Sequence, residues 1–124
     1  MREATVAVVG GGMAGASAAR ALSGAGVPCV VFDKSRGPGG RMATRRTQLD
    51  DTPFTFDHGA QWTHARSEDY AAFLADAGAA GCAAPWSAAP SPNGVVGTPG
   101  MNALVKFALG DTAARYGATV TGLT

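Results

Sequence analysis

A chain of 124 residues can form one domain that buries roughly two-thirds of its surface. Its formal net charge is +1 and only 15% of its residues are charged, so it lacks the electrostatic basis for binding nucleic acid or an anionic membrane. No apolar run approaches the roughly 20 residues of a membrane span, and the few residues before the first predicted strand leave no room for a signal peptide. We therefore expect a cytoplasmic protein.

The first predicted element is a strand from Val6 to Val9, whose continuous apolar run predicts burial on both faces, as in parallel sheets. It leads into a Gly-x-Gly-x-x-Gly motif formed by Gly10, Gly12 and Gly15. The first glycine permits a tight turn, the second lets a pyrophosphate approach the backbone, and the third lets the next helix pack against the strand. The motif therefore predicts a dinucleotide site.

The next predicted helix runs from about Met13 to Ala25, and its first residues, Met13 and Ala14, offer N–H groups and a partial positive charge to phosphates. A second strand, Cys29 to Phe32, ends at Asp33, 23 residues after Gly10. An acid at roughly this spacing, about 20 residues, binds the ribose hydroxyls. A carboxylate repels a ribose 2′-phosphate, so FAD or NAD fits better than NADP. The alternative is an ordinary βαβ turn with Asp33 as a surface charge.

The segment after Asp33 contains too many glycines and prolines for a regular element. Gly39 and Gly40 would allow close backbone approach, and Arg36 and Arg41 could bind phosphate oxygens in planar, bidentate geometry. A plain NAD domain would soon enter another helix, so this loop favours FAD. The alternative is a solvated basic loop.

These motifs carry a family resemblance. The glycine motif, Asp33 and the loop Arg36-Gly37-Pro38-Gly39-Gly40-Arg41 resemble the glutathione-reductase-type FAD domain with the additional Gly-Gly motif of flavin amine oxidases. More narrowly, the segments 40–46 (GRMATRR), 56–62 (FDHGAQW) and 99–104 (PGMNAL) resemble the bacterial branch of the renalase-like oxidoreductases. The resemblance implies an α/β, three-layer, Rossmann-like FAD/NAD(P)-binding domain with the start of a substrate-side β layer.

The resemblance also implies that the segment from Gly59 to Trp62 lines the isoalloxazine ring. The candidate cofactor-binding residues are therefore Gly10, Gly12, Met13, Ala14, Gly15, Asp33, Lys34, Arg36, Gly39, Gly40, Arg41, Met42, Gly59, Ala60, Gln61 and Trp62. The sequence indicates neither a catalytic acid, base or nucleophile nor a metal-ligand cluster. His58 is interpreted as a hydrogen-bonded structural histidine, because hydride transfer to a flavin needs no such base. His64 is interpreted as a surface residue.

The middle of the chain predicts two hairpins and a helix. Strands at 44–48 and 54–57 are joined by a polar turn, and a second hairpin is predicted around 92–94. Between them, Ser67 is expected to cap a helix that Gly78 closes. Trp86 is equally consistent with core packing and with a pocket wall.

The last predicted elements are a helix and a strand. Pro99 and Gly100 open the helix, Gly117 ends it, and the strand from Ala118 to Leu123 pairs beside the second strand. Cys29 is predicted to be a small core residue and Cys82 a free thiol, without a disulfide.

The whole chain, 1–124, is predicted to be one FAD/NAD(P)-binding domain. Its parts are the βαβ unit with the Gly-Gly loop (1–48), the flavin-lining segment with a helix and hairpin (49–97), and a helix with a returning strand (98–124). A flavoenzyme of this class also needs a substrate domain, so we expect the chain to be the N-terminal portion of a longer protein.

The leading hypothesis for function is an FAD-dependent oxidoreductase. The resemblance implies that its flavin accepts a hydride from an amine or a dihydronicotinamide-type compound, with oxygen as acceptor. The alternatives are an NAD-binding dehydrogenase domain and a noncatalytic nucleotide-binding fragment. The expected partner is a small-molecule substrate, and neither nucleic acid nor a membrane is expected; the sequence leaves the oligomeric state open.

Overall fold

The structure, a computed structural model, describes residues 3–124. Its strands are β1 (Val6–Val9), β2 (Cys29–Phe32), β3 (Thr44–Leu49), β4 (Thr52–Asp57), β5 (Ala83–Pro85), β6 (Val95–Gly97) and β7 (Ala113–Arg115). Its α-helices are α1 (Met13–Gly24), α2 (Glu68–Ala79) and α3 (Asn102–Leu109), with a 3₁₀ turn at Gly40–Met42. The main sheet has the order β1-β2-β7, and both of its strand pairs are parallel. This is a Rossmann-like α/β fold.

The predicted βαβ unit is confirmed. β1 pairs with β2 from Val6 opposite Cys29 to Val9 opposite Phe32, and α1 connects the two strands. The prediction that β1 is buried on both faces is wrong, since Ala7 is exposed and 61% of Val9 is accessible. The physical reason is that α1 and α3 share one hydrophobic cluster and therefore cover the same face of the sheet.

The first hydrophobic cluster lies between that sheet face and the two helices. Its buried members are Ala16, Ala19, Val31, Val105, Ala108 and Leu109. The small side chains of Ala16 and Ala19 let α1 approach both the sheet and α3. Cys29, predicted to be a small core residue, is half-buried and packs against this cluster, and both Cys29 and Cys82 are free thiols.

A second cluster joins α2 to α3, and its buried members are Leu74, Ala77, Met101 and Leu104. Ser67 caps α2 as predicted, because its hydroxyl accepts a 3.2 Å hydrogen bond from the Tyr70 N–H. The predicted stop at Gly78 is wrong. The helix continues to Ala79, and the chain turns at Gly81, where φ is +78°.

Both predicted hairpins are present. β3 and β4 pair antiparallel across Asp50 and Asp51, whose positive φ angles of 49° and 63° suit the tight hairpin turn. β5 and β6 form the second hairpin. Trp86 follows β5 and is 37% exposed, so it is not a core residue.

The last helix ends earlier than predicted. α3 stops at Leu109 and the chain turns at Gly110, where φ is +53°, so Gly117 is not its end. The returning strand is therefore β7 at 113–115, and not 118–123. Its predicted place beside β2 is confirmed, with Val31 opposite Ala114.

Candidate functional site

The glycine motif has the backbone geometry that a phosphate-binding turn requires. Gly10 has φ of +107°, a conformation that side-chain-bearing residues rarely adopt. A Cβ on Gly15 would overlap the Gly10 carbonyl oxygen, so α1 can start against β1 only with glycine there. Gly12 is the N-cap of α1, which has neither a side-chain cap nor an acidic residue in its first turn. The N–H groups at Met13 and Ala14 therefore begin a helix that can receive an anion.

The two glycine-rich loops of the sequence lie against each other. The Gly39 N–H donates to the Gly11 carbonyl oxygen at 3.0 Å, and Gly12 and Gly39 form a parallel bridge. A Cβ on Gly40 would lie 3.0 Å from the Gly12 Cα, and Gly40 itself has φ of +56°. The loops therefore make one backbone surface without side chains, which a diphosphate could approach closely.

Asp33 stands at the carboxyl end of β2 and connects to the glycine turn. Its Oδ2 accepts from the Gly11 N–H at 2.5 Å and its Oδ1 from the Ser35 N–H at 2.6 Å. Burial raises the pKa of Asp33, but the hydrogen bonds from Gly11 and Ser35 and the charge of Lys34 outweigh it and lower that pKa below its ordinary value. An ionised carboxylate offers about four lone-pair sites, so it retains capacity to accept from ribose hydroxyls.

The Gly-Gly loop also contacts the predicted flavin-lining segment. The Ala60 N–H donates to the Arg41 carbonyl oxygen at 3.0 Å. A Cβ on Gly59 would overlap the same oxygen, so this close approach requires glycine. Contacts thus run continuously from Asp33 through the two loops to Ala60.

The side chains of the other candidate cofactor-binding residues take no part in these backbone contacts. The side chains of Lys34, Arg36, Arg41 and Gln61 are exposed. The Met42 side chain packs against both hydrophobic clusters, so what it offers a cofactor is its backbone.

Trp62 forms part of a cavity of 630 Å³, lined by residues 59–64 and Arg66. His64, predicted to be a surface residue, is half-buried and belongs to this wall, where its ring stacks on Trp62 at 5.4 Å between centroids. The spacing of two residues on an extended segment places both rings on one side. His58 is exposed and makes an edge contact with Phe56, in place of the expected role as a hydrogen-bonded structural histidine.

Sequence reasoning missed Asp57, which connects the predicted flavin-lining segment to α3. Asp57 Oδ1 accepts from the Thr44 hydroxyl at 2.6 Å and from the Met101 N–H at 3.0 Å. The Thr44 Oγ1 in turn accepts from the Asn102 N–H at 3.3 Å. The two side chains thus satisfy N–H groups at the start of α3, whose N-cap residue, Met101, forms no side-chain cap. An acidic residue directly before the 58–62 segment was the available signal.

Tyr116 was also missed, because its segment was assigned to a helix. The Arg115 carbonyl accepts from the Asp33 N–H at 3.0 Å, and the Ala118 N–H donates to the Asp33 carbonyl at 3.0 Å. Burial and the charge of Asp33 raise the pKa of Tyr116. The chain after β7 therefore lies beside the ribose end of the candidate site, where a cavity of 220 Å³ opens next to Asp33.

Residues 8–77, more than half of the chain, match the family of NAD(P)-binding Rossmann-like domains. The chain belongs to this family. The matched range includes the glycine motif, Asp33, the Gly-Gly loop, the first hairpin and most of α2.

Among solved structures, the chain is similar to a variant of putrescine oxidase made in a redesign of cofactor binding. The two are 30% identical, with a TM-score of 0.45, over 58% of this chain. The match covers 15% of the putrescine oxidase chain.

Two further features bear on the kind of site. Within residues 3–124, no helix is both long and apolar enough to cross a membrane. Over the same range, no group of three or more His, Cys, Asp or Glu side chains is placed to hold a metal ion.

Proposed function

We propose that this chain is the FAD-binding portion of an oxidoreductase resembling the flavin amine oxidases and, more narrowly, the renalase-like enzymes. A bound flavin would supply hydride-accepting chemistry toward a small reduced substrate, such as an amine or a dihydronicotinamide compound, with oxygen as the acceptor. The residues of this chain bind and orient the cofactor.

The shape of the site fits such a cofactor. A diphosphate needs bare backbone and free N–H groups. Bare backbone is present where Gly12 meets Gly39 and Gly40, and the N-terminus of α1 beside it has no side-chain cap. Added Cβ atoms would fill the space between Gly12 and Gly40, so a surface that a diphosphate can approach requires glycine at these positions.

Each part of the site has a distinct role in the proposal. Asp33 would accept from the ribose hydroxyls, and the N-terminus of α1 would hold the pyrophosphate. Arg41 would add a guanidinium to phosphate oxygens, and the segment from Gly59 to Trp62 would face the ring.

The observation that carries the proposal is the contact between the two glycine loops. A plain NAD-binding βαβ unit needs only the first loop. In this chain the second loop bonds to the first through the Gly39 N–H and to the ring-facing segment through the Arg41 carbonyl. This arrangement supports the proposal, because it would extend the site from the pyrophosphate toward the flavin ring.

The test is a titration of the purified chain with FAD and, separately, with NAD, followed by absorbance after removal of free ligand. We expect the parent chain to retain flavin absorbance. Arg41→Ala should bind FAD about tenfold more weakly, because it loses one charge-assisted hydrogen bond at an exposed site. Arg45→Ala, an exposed arginine in β3, is the matched control and should bind FAD as the parent chain does.

The NAD-binding alternative has its own support, because the matched family is described as NAD(P)-binding. If NAD were retained, FAD were not, and Arg41→Ala changed neither affinity, the flavoenzyme proposal would be wrong and the dehydrogenase reading would replace it. FAD binding without turnover by this chain would be consistent with a binding portion of a longer enzyme.

A further inference from the structure

One face of the β3–β4 hairpin carries large apolar side chains that are exposed. Residues paired across an antiparallel ladder point to the same face, and so do alternate residues along each strand. The register places six residues on this face, which we call the outer face: Arg45, Thr47, Leu49, Thr52, Phe54 and Phe56. Leu49 is 65% exposed, and Phe54 and Phe56 are 42% and 43% exposed.

The opposite face of the hairpin turns toward the body of the protein. Thr44 and Asp57 lie on it, and their side chains accept hydrogen bonds from N–H groups at the start of α3. The outer face therefore turns away from the body, and within residues 3–124 the hairpin forms a sheet of only two strands. Neither hydrophobic cluster in that range includes Leu49, Phe54 or Phe56. Exposed apolar side chains grouped in this way mark an interaction surface.

The aromatic side chains of the outer face are already ordered. The rings of Phe54 and Phe56 stack with their centroids 6.2 Å apart and their planes 30° from parallel. The His58 ring meets Phe56 edge-on at 6.4 Å. Side chains that are ordered in advance lose little conformational entropy when a partner covers them, so this face is prepared for a contact.

The two ends of the hairpin carry opposite charges. Asp50 and Asp51 form the turn at one end, and Arg45 and Arg46 lie near the other end; all four side chains are exposed. The one further charged side chain of the hairpin, Asp57, already accepts hydrogen bonds on the opposite face. The outer face therefore runs from a basic end to an acidic end, with the apolar side chains between them.

A second copy of this chain matches that order of charges. If two outer faces pack antiparallel about a twofold axis, the acidic turn of each copy lies beside Arg45 of the other, and the phenylalanines of both copies meet in the middle. The symmetry forms each charge contact twice. The face is six residues long, about 20 Å, and only two strands wide, so the contact is small and the dimer is expected to be weak.

We propose that the outer face of the β3–β4 hairpin docks a second copy of this chain in a weak, twofold-symmetric dimer. Phe54 and Phe56 provide the apolar contact, and the attraction between Arg45 and the acidic turn sets the antiparallel direction. None of the residues of the outer face is a candidate cofactor-binding residue, so the dimer is independent of the proposed function and its test needs no FAD.

The test is sedimentation equilibrium of the chain without FAD, from about 10 µM to about 1 mM. We expect reversible association that stops at a dimer, with a dissociation constant on the order of 0.1 mM. A chain that is still monomeric at the highest concentration, or that grows into larger assemblies, overturns the proposal.

Amide NMR shifts of the parent chain locate the contact without any substitution. Between the two ends of the concentration range, we expect the shifts to change mainly within residues 44–58. Changes confined to another part of the chain contradict the proposal even if a dimer forms.

Matched apolar variants separate the outer face from general adhesiveness. Phe54→Thr combined with Phe56→Thr should weaken the dimer at least about tenfold, while threonine preserves the preference for a strand. Leu123→Thr removes an apolar side chain that is 91% exposed outside the hairpin and should leave association unchanged. Far-UV circular dichroism reports whether each variant is folded. Equal association of the parent chain and the folded double variant overturns the proposal.

Charge variants test the antiparallel arrangement. Arg45→Gln, and separately Asp50→Asn with Asp51→Asn, should each weaken the dimer about threefold to tenfold, because each removes the same two symmetric contacts. Asparagine tolerates the positive φ angles of the turn. The variant with all three changes should associate about as weakly as either of the others, and Lys106→Gln, at an exposed position in α3, should associate as the parent does. Fully additive losses would mean that these charges do not meet, and they would overturn the arrangement.

Discussion

At Gly15 the packing explains why the sequence motif has a glycine. A Cβ there meets the Gly10 carbonyl oxygen, whereas a Cβ on Gly24, at the other end of α1, meets no heavy atom within 4 Å. Both glycines are helical, so the two positions differ in space and not in backbone conformation.

We therefore predict that Gly15→Ala destabilises the chain by about 1–3 kcal/mol, because the overlap forces α1 away from the turn. Gly24→Ala should be neutral or stabilising by up to about 1 kcal/mol, since alanine favours the helix. Urea unfolding followed by far-UV circular dichroism gives both values. Equal stability of the two variants would show that the turn can relax around a methyl group.

Asp33 links the stability of the turn to pH. Its folded pKa lies below the ordinary value of 3.8, so its contribution to stability is fully present above that value and is lost as the pH falls through the folded pKa. Below that pH the protonated carboxyl is a weaker acceptor for the N–H groups of Gly11 and Ser35.

The expected result is that the free energy of unfolding of the parent chain falls as the pH drops below about 4 and that Asp33→Asn reduces this fall. Asp76→Asn, an exposed position in α2, is the control and should retain the parent profile. Unfolding curves at pH 7, 5, 4 and 3 provide the measurement. A parent profile unchanged by Asp33→Asn would contradict the lowered pKa.

At the scale of elements, hydrogen bonds that no local sequence motif predicts join the β3–β4 hairpin to α3. Asp57 and Met101 are 44 positions apart, and Thr44 and Asn102 are 58 apart. The N–H groups at the start of α3 thus find their acceptors in a hairpin, and the segment predicted to face the flavin follows directly after the same carboxylate.

Removing that carboxylate should loosen both elements. We predict a loss of about 1–3 kcal/mol for Asp57→Ala, because the Met101 N–H loses its acceptor in a partly buried position. Asp57→Asn keeps an oxygen acceptor and should lose less. Thermal unfolding ranks the variants, and amide exchange at Met101 and Ala60 reports the local effect. Equal losses in both variants would mean that the charge, and not the acceptor, stabilises the helix start.

At the scale of the whole molecule, two hydrophobic clusters are connected through shared side chains. Met42 and Phe73 pack against both the sheet cluster and the α2–α3 cluster. Met42 belongs to the turn that ends the Gly-Gly loop, so the candidate site lies over the junction of the two clusters.

This connection predicts one cooperative unfolding transition and a strong effect of Met42→Ala. The loss should be about 2 kcal/mol, at the low end for a truncated methionine because the residue is half-buried. Tryptophan fluorescence and far-UV circular dichroism should give the same midpoint in parent and variant. Two separated transitions would show that the clusters fold independently.

The sequence alone determined the βαβ unit, the hairpins and the cap of α2, because each depends on residues near one another in the chain. The positions of Gly10, Gly12, Gly15 and Asp33 follow from the turn and from the length of one helix and one strand. Whether the candidate residues bind FAD is still a prediction.

Only the tertiary structure decided how distant segments meet. The bridge between Gly12 and Gly39, the bond from Met101 to Asp57 and the place of Tyr116 beside Asp33 each join elements whose contact is set by packing. The exposure of Val9 has the same origin, since a strand pattern shows that a residue is apolar but not whether a helix covers it. Local spacing specifies a turn, whereas long-range contact depends on which faces the helices bury together.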